Sequence, residues 1–86
     1  METIVLKKYS ESERIPFNAK KKINLNCRKG VHYKFTMSDS SNSESFAYFI
    51  IEPTSIDLET ENFPFEVSYI QIASFGRKCT IEYSGE

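Results

Sequence analysis

Apolar and polar residues alternate over much of the chain. Ile23, Leu25 and Cys27 alternate with Asn24 and Asn26, and Val31, Tyr33, Phe35 and Met37 alternate with His32, Lys34 and Thr36. Arg28-Lys29-Gly30 lies between the two runs. Period-two alternation on both sides of a glycine-bearing turn predicts a β-hairpin over residues 23–37 with one buried face, Tyr33 and Phe35 belonging to that face.

The remaining segments read in the same way. Residues 3–9 form a strand candidate, Ile4 and Leu6 to one side and Val5 and Tyr9 to the other. Ser10-Glu11-Ser12-Glu13 is a polar loop. Arg14-Ile15-Pro16-Phe17 is a short extended piece; Pro16 lacks an N–H and restricts Ile15, which suits a sheet edge or the first residues of a strand. Residues 38–45, Ser-Asp-Ser-Ser-Asn-Ser-Glu-Ser, are small and polar and predict an exposed, mobile loop. Residues 46–52 are almost continuously apolar, which predicts a strand covered on both faces, by its own sheet and by another layer or subunit. Glu52-Pro53-Thr54-Ser55 ends it, and Ile56 and Leu58 alternate with Asp57 and Glu59 in a short strand. Phe63-Pro64-Phe65 leads into residues 67–72, where the apolar parity switches from Phe65, Val67 and Tyr69 to Ile70 and Ile72; such a switch needs a bulge or a transfer between sheets. After a turn at Ser74-Phe75-Gly76-Arg77, Cys79, Ile81 and Tyr83 alternate with Thr80 and Glu82, and residues 84–86 read as a frayed end.

Seven to eight short strands with no significant helix predict an all-β fold: a small antiparallel β-sandwich (jelly-roll-like) or a barrel. Residues 1–86 are one domain, with residues 1–9 an arm or an edge strand. Three glycines, Gly30, Gly76 and Gly85, fall at turns or at the last residues, where a positive φ is useful.

Composition adds two points. An 86-residue chain buries only about 60–65% of its unfolded surface, so a homo-oligomer or docking on a partner is expected. The longest apolar run, residues 46–51, is far short of the ~20 residues that span a bilayer, so no membrane partner is expected. The first residues lack the charged-then-apolar layout of a secretory leader, which predicts a protein made and used without export. Cys27 and Cys79 each sit in the apolar set of an alternating strand; they read as small buried hydrophobes, a disulfide between them being the alternative.

Charge is uneven. Residues 1–37 carry nine Lys or Arg against three Glu (+6), and residues 38–86 carry two against nine acids (−7). Either copies pack head to tail, or strands of the two halves interleave and the charges mix.

Candidate chemistry is sparse. His32, the one histidine, belongs to the polar set and reads as an exposed strand residue. The chain has no Cys-x-x-Cys, no His-x-x-x-His, no acidic calcium loop and no glycine-rich phosphate loop, so no metal or cofactor is expected and the protein is read as no enzyme. Glu52, Glu59, Glu61 and Glu66 fit exposed strand positions better than a carboxylate pair. Lys20-Lys21-Lys22 and Arg28-Lys29 with Tyr33 and Phe35 offer a nucleic-acid reading, but these aromatics belong to the apolar set and the overall balance is acidic, which opposes it.

The layout resembles small bacteriophage virion proteins of the capsid decoration or cement type. The resembling stretches are Arg14-Ile15-Pro16-Phe17-Asn18, residues 23–37, residues 67–76 and Cys79-Thr80-Ile81-Glu82-Tyr83. It is a resemblance of architecture with no single diagnostic residue. It implies a non-enzymatic structural protein, assembled in the host cytoplasm into the virion. Its partners would be the major capsid protein or other virion proteins. Contacts would come from residues 1–9, from the Pro16-Phe17 edge, from residues 38–45, and from Phe63-Pro64-Phe65, which is either a core corner or an exposed anchor. Two other classes stand beside it: a phage-encoded inhibitor that blocks a host defence protein through its acidic half, and a carbohydrate- or receptor-binding module of a fibre.

Overall fold

The alternating segments become eight strands in a computed structural model that describes residues 2–27, 32–60 and 63–86. They are β1 (Glu2–Leu6), β2 (Ile15–Ala19), β3 (Lys22–Cys27), β4 (Tyr33–Ser38), β5 (Ser45–Ile50), β6 (Thr54–Asp57), β7 (Val67–Ser74) and β8 (Cys79–Gly85). No helix occurs among the described residues. The strands form two antiparallel four-stranded sheets, ordered β1-β8-β3-β6 and β2-β7-β4-β5. This is the strand order of a jelly roll. The sheets are separate and do not close into a barrel.

The predicted hairpin over residues 23–37 does not form. β3 pairs with β8 and β6, while β4 pairs with β5 and β7, so the two strands lie in opposite sheets. Alternation specifies which face of a strand is buried and is silent on its partner; two strands facing each other across a sandwich carry the same pattern as two paired side by side. The link at 28–31, with Gly30, lies outside the described residues.

The parity assignment itself holds. Tyr33, Phe35 and Met37 from one sheet and Ile23, Leu25, Cys27 and Ile81 from the other are all buried in a single core. Phe35, Ile23, Met37 and Ile81 are fully inaccessible. At about 1.5–3 kcal/mol per fully buried large apolar side chain, these interdigitating inner faces hold the sheets together. Cys27 and Cys79 are buried free thiols. The parity switch predicted within residues 65–72 coincides with a register shift where Pro16 pairs with Tyr69 and Ala19 with Val67; the extra residue sits on β2. Residues 10–12, read as a loop, run beside β7 instead. Ser12 N–H donates to the Ile72 carbonyl (2.7 Å), Ile72 N–H donates to Ser12 Oγ (2.9 Å), and Glu11 bridges Ala73.

The end of the chain is held rather than frayed. The backbone N–H groups of Lys20, Lys21 and Lys22 donate to the backbone oxygen of Glu86 (2.9, 2.7 and 3.2 Å). Gly85 lies in β8, where an added Cβ would stand 2.7 Å from Phe17 Cζ and 3.0 Å from Ala19 Cβ. Close approach, not a positive φ, explains this glycine. Left-handed backbone occurs at Tyr9 (φ 51°) and Asn42 (φ 59°).

Candidate functional site

β5 carries the first departure from the expected burial. It was expected to be covered on both faces. It is the edge strand of its sheet, and only Ile50 is buried. Its register with β4 runs unbroken from Ser38↔Ser45 to Tyr33↔Ile50. Phe46, Tyr48 and Ile50 therefore share the inner side with Met37, Phe35 and Tyr33, and Ala47 and Phe49 share the outer side with Thr36 and Lys34. Phe49 is 76% exposed, Ile51 56%, Phe75 47% and Phe46 46%. The Phe49 and Phe75 rings stack at 5.9 Å. An apolar run is consistent with cover on both faces, but among the described residues the outer side of β5 has only the Phe75 ring against Phe49.

The edges differ in how they are guarded. β1 carries Glu2 and runs into Lys7 and Lys8; β6 is four residues long, starts after Pro53 and ends on Asp57; β2 carries Pro16 and the register shift. Charge, proline, brevity and bulges are the usual protections of a free edge. β5 has no charge, no proline and no bulge.

Beside β5 is an aromatic corner. Phe46 meets Tyr48 (5.1 Å) and Phe63 (5.8 Å), and Phe63 meets Phe65 edge-on (4.9 Å). Phe63 and Phe65 are half-buried against the core and Pro64 is exposed. With Ala19, Lys20, Leu58 and Glu66 they line an open hollow of ≈ 370 Å³. Of the other expected contact residues, Pro16 is exposed on β2, and Phe17 is half-buried with its ring against Tyr83 (5.6 Å) and over Gly85. Of the residues named from the sequence, Phe63 and Phe65 line one hollow with the exposed Pro64 between them in the chain, and Pro16 and Phe17 lie on the β2 edge. The sequence missed Phe46, Phe49, Ile51 and Phe75 as surface residues.

The loop between β4 and β5 is exposed and built around Asp39. Ser43 N–H donates to Asp39 Oδ1 (2.9 Å), and the Ser43 and Ser41 hydroxyls donate to Oδ2 (2.8 and 3.2 Å). Partial desolvation pushes the Asp39 carboxyl up, but the bonds from Ser43, Glu44 and Ser41 outweigh it and the pKa falls. Asp57 is lowered too, first by the Thr60 backbone N–H and side chain and further by Glu59 N–H and Lys22, against a smaller desolvation effect. At the Asp39 end of the β2-β7-β4-β5 sheet Arg14 lies over the Tyr69 ring (3.9 Å) and donates to the Asp39 carbonyl (3.3 Å).

Tyr33 is the one buried polar anomaly among the described residues: its hydroxyl has no hydrogen-bond partner of adequate geometry. Burial pushes its pKa up strongly, and the nearby Cys27 and Cys79 thiols add to this. Burial likewise raises Cys27, partly offset by the Tyr33 hydroxyl. The Tyr33–Cys27 approach is an electrostatic contact rather than a formed hydrogen bond.

His32 is exposed, as are Glu52, Glu59 and Glu66; Glu61 lies outside the described residues. Tyr33 and Phe35, 1% and 0% exposed, have no face to offer a base. Among the described residues no three His, Cys, Asp or Glu gather as metal ligands, and no helix is long and apolar enough to cross a membrane. Both sheets mix strands of the basic and acidic halves, so the two halves interleave among the described strands. No known protein family, curated protein or solved structure matches the chain.

Proposed function

We propose that this is a non-enzymatic structural subunit of a phage particle, of the decoration or auxiliary type, which binds the capsid surface and works by adding buried contact area. The observation that carries the reading is the corner at Phe63-Pro64-Phe65. It is a half-buried aromatic pair beside an exposed proline, opening on a ≈ 370 Å³ hollow floored by Ala19 and Leu58 and flanked by Lys20 and Glu66. An apolar floor with a polar rim is the anatomy of a protein contact. The jelly-roll strand order supports the virion reading by analogy of fold alone, since this topology also serves capsid domains. The test is quantitative mass spectrometry of purified particles from the source culture. The chain should appear at a fixed ratio to the major capsid subunit, and its absence from particles overturns the reading.

A second reading has one observation behind it. The exposed Phe49–Phe75 stack, on a topology that also serves lectins, is a platform on which a sugar ring could lie, as in a carbohydrate-binding fibre module. Glycan binding lost in Phe75→Ala, with no chain in particle heads, would favour it. The inhibitor reading draws less support, since strands of the acidic and basic halves alternate within both sheets.

A further inference from the structure

We infer that the end of the sandwich where the β1–β2 and β7–β8 connections meet is a binding site for single-stranded nucleic acid, with four cations for the phosphates and two aromatic rings for the bases. The site is separate from the corner at Phe63-Pro64-Phe65 and stands whether or not the chain is a capsid subunit.

Three observations lead there. First, the topology gathers like charges. The β1–β8 pairing ends at Leu6↔Cys79, and the Tyr9 N–H donates to the Gly76 carbonyl (3.0 Å) in the same register. Lys7 therefore stands opposite Lys78, and Lys8 opposite Arg77. Like charges directly opposite destabilise a strand pair, and among the described residues none of the four has an ion-pair partner. Lys8 Nζ lies instead over the Tyr9 ring (5.3 Å). Residues 7–10 and 75–78 hold no acid, on a chain whose net charge is −1; Glu11 and Glu13 follow along the chain, and Glu52 follows β5. Second, Tyr9 takes left-handed backbone (φ 51°) with its ring 70% exposed. A bulky residue is strained there, and no burial of the ring offsets the strain. The bond to Gly76 and the bond from Ser74 N–H to the Ser10 carbonyl (2.8 Å) hold the turn in place. Third, Phe75, beside Gly76, is 47% exposed, so two open rings stand among the four cations. Basic groups that track a backbone, with exposed rings on which bases stack, are how single strands are held. An acidic polypeptide would use the cations and leave the rings idle, and a duplex keeps its bases stacked on one another. Tyr33 and Phe35 are buried and take no part.

Charge sets the strength. At about 0.7 per phosphate contact on a single strand, four contacts give a slope of log Kd against log salt of roughly 3. Binding should therefore weaken about 50-fold between about 50 and 200 mM salt. The dissociation constant at the lower salt is on the order of 1–100 μM, the range of sequence-independent binding.

A labelled oligothymidine strand titrated with the full chain at rising salt tests it, read by fluorescence anisotropy. Binding should saturate and follow the salt slope above. Lys7→Gln, Lys8→Gln, Arg77→Gln and Lys78→Gln should each lower the slope by about 0.7, and the four together should abolish binding. Urea unfolding of the fourfold variant should come no earlier than that of the parent, because opposed like charges have been removed. Tyr9→Asn should weaken binding at least about fivefold with the slope unchanged. Asparagine accepts left-handed backbone, so circular dichroism should not change. Phe75→Ala should weaken binding to a similar degree. Lys20→Gln with Lys21→Gln, at the opposite end of the sandwich, should change nothing. A duplex of the same length, polyglutamate and phosphatidylglycerol vesicles should each bind at least about tenfold more weakly than the single strand. No binding of the strand at low salt overturns the inference. So does equal binding of the duplex, polyglutamate or vesicles, binding indifferent to both Tyr9→Asn and Phe75→Ala, or binding that is lost through Lys20 and Lys21 instead.

Discussion

On the outer face of the β1-β8-β3-β6 sheet the side chains bond one another. Ser55 Oγ donates to Asn24 Oδ1 (2.8 Å) and Asn26 Nδ2 donates to Glu82 Oε1 (3.3 Å), with Thr80, Ser84 and Lys22 around them. On the outer face of the β2-β7-β4-β5 sheet, Ala47, Phe49, Ala73 and Phe75 stand at corresponding places about Lys34, and Arg14 over Tyr69 covers the far end. The inner faces are alike in burial and chemistry, since both contribute fully inaccessible apolar residues to one core. The difference therefore lies outside the folding problem. A sandwich needs two apolar inner faces, and an exposed apolar patch on an outer face, here Ala47, Phe49, Ala73 and Phe75 among Lys34, Thr36 and Gln71, is a property of what the protein touches.

The comparison can be broken or sharpened at several points. The largest effect should be common to both sheets. Phe35→Ala under one face should cost about 3–5 kcal/mol and Ile81→Ala under the other about 2–5 kcal/mol in urea unfolding. A large asymmetry would mean that one sheet carries the core and the faces are not comparable. Next comes the seam where the sheets meet. Gly85→Ala should cost about 1–3 kcal/mol, because Phe17 must leave its place over β8; Phe17→Leu in the same background should return part of the loss. Smaller, and opposite in sign, is Tyr33→Phe. Removing a buried hydroxyl without a partner should stabilise by about 1 kcal/mol.

The pH dependence of Tyr33 follows from its raised pKa. In the unfolded chain the phenol loses its proton near pH 10, while in the fold it keeps it, so the native state holds more protons. Stability is fully present below pH 10 and falls above it, by about 1.4 kcal/mol per pH unit for this group. The alkaline limb should flatten in Tyr33→Phe, with Cys27 contributing the part that begins near pH 9. Asp39 and Asp57 behave in the opposite way. Their folded pKa values lie below the ordinary 3.8, so their contribution is present above that pH and is lost as the pH falls through the folded values. An acid titration of the Asp39→Asn variant should lose part of this limb. The smallest effects should be at the two outer faces themselves: Phe49→Ala and Asn26→Ala should each change stability by less than about 0.5 kcal/mol. Equal indifference in folding, together with unequal effects on association, is what the contrast requires.

Much of the strand content was legible in the sequence, because period two is a local property of residues such as Ile23, Leu25 and Cys27. Pairing was not. Whether Cys27 and Tyr33 lie side by side or face to face depends on which distant segments reach their flanks, and β8 and β7 arrive from the far end of the chain. The corner at Phe63-Pro64-Phe65 was legible because two aromatics around a proline cannot continue a regular strand. The bare side of β5 was not, because an apolar run states that cover is wanted and not whose cover it is. Gly85 was misread for a related reason: the close approach of Phe17 is set by a strand more than sixty residues earlier.

The contrast between the two outer faces is tested most directly by backbone and side-chain chemical shifts followed as a small apolar probe molecule is titrated into the protein. The account predicts that Ala47, Phe49 and the other β5 residues move together with a single midpoint, while Asn24, Asn26, Glu82 and Ser84 stay fixed. Shifts spread evenly over both faces, or centred on the Asn26–Glu82 side, would contradict it.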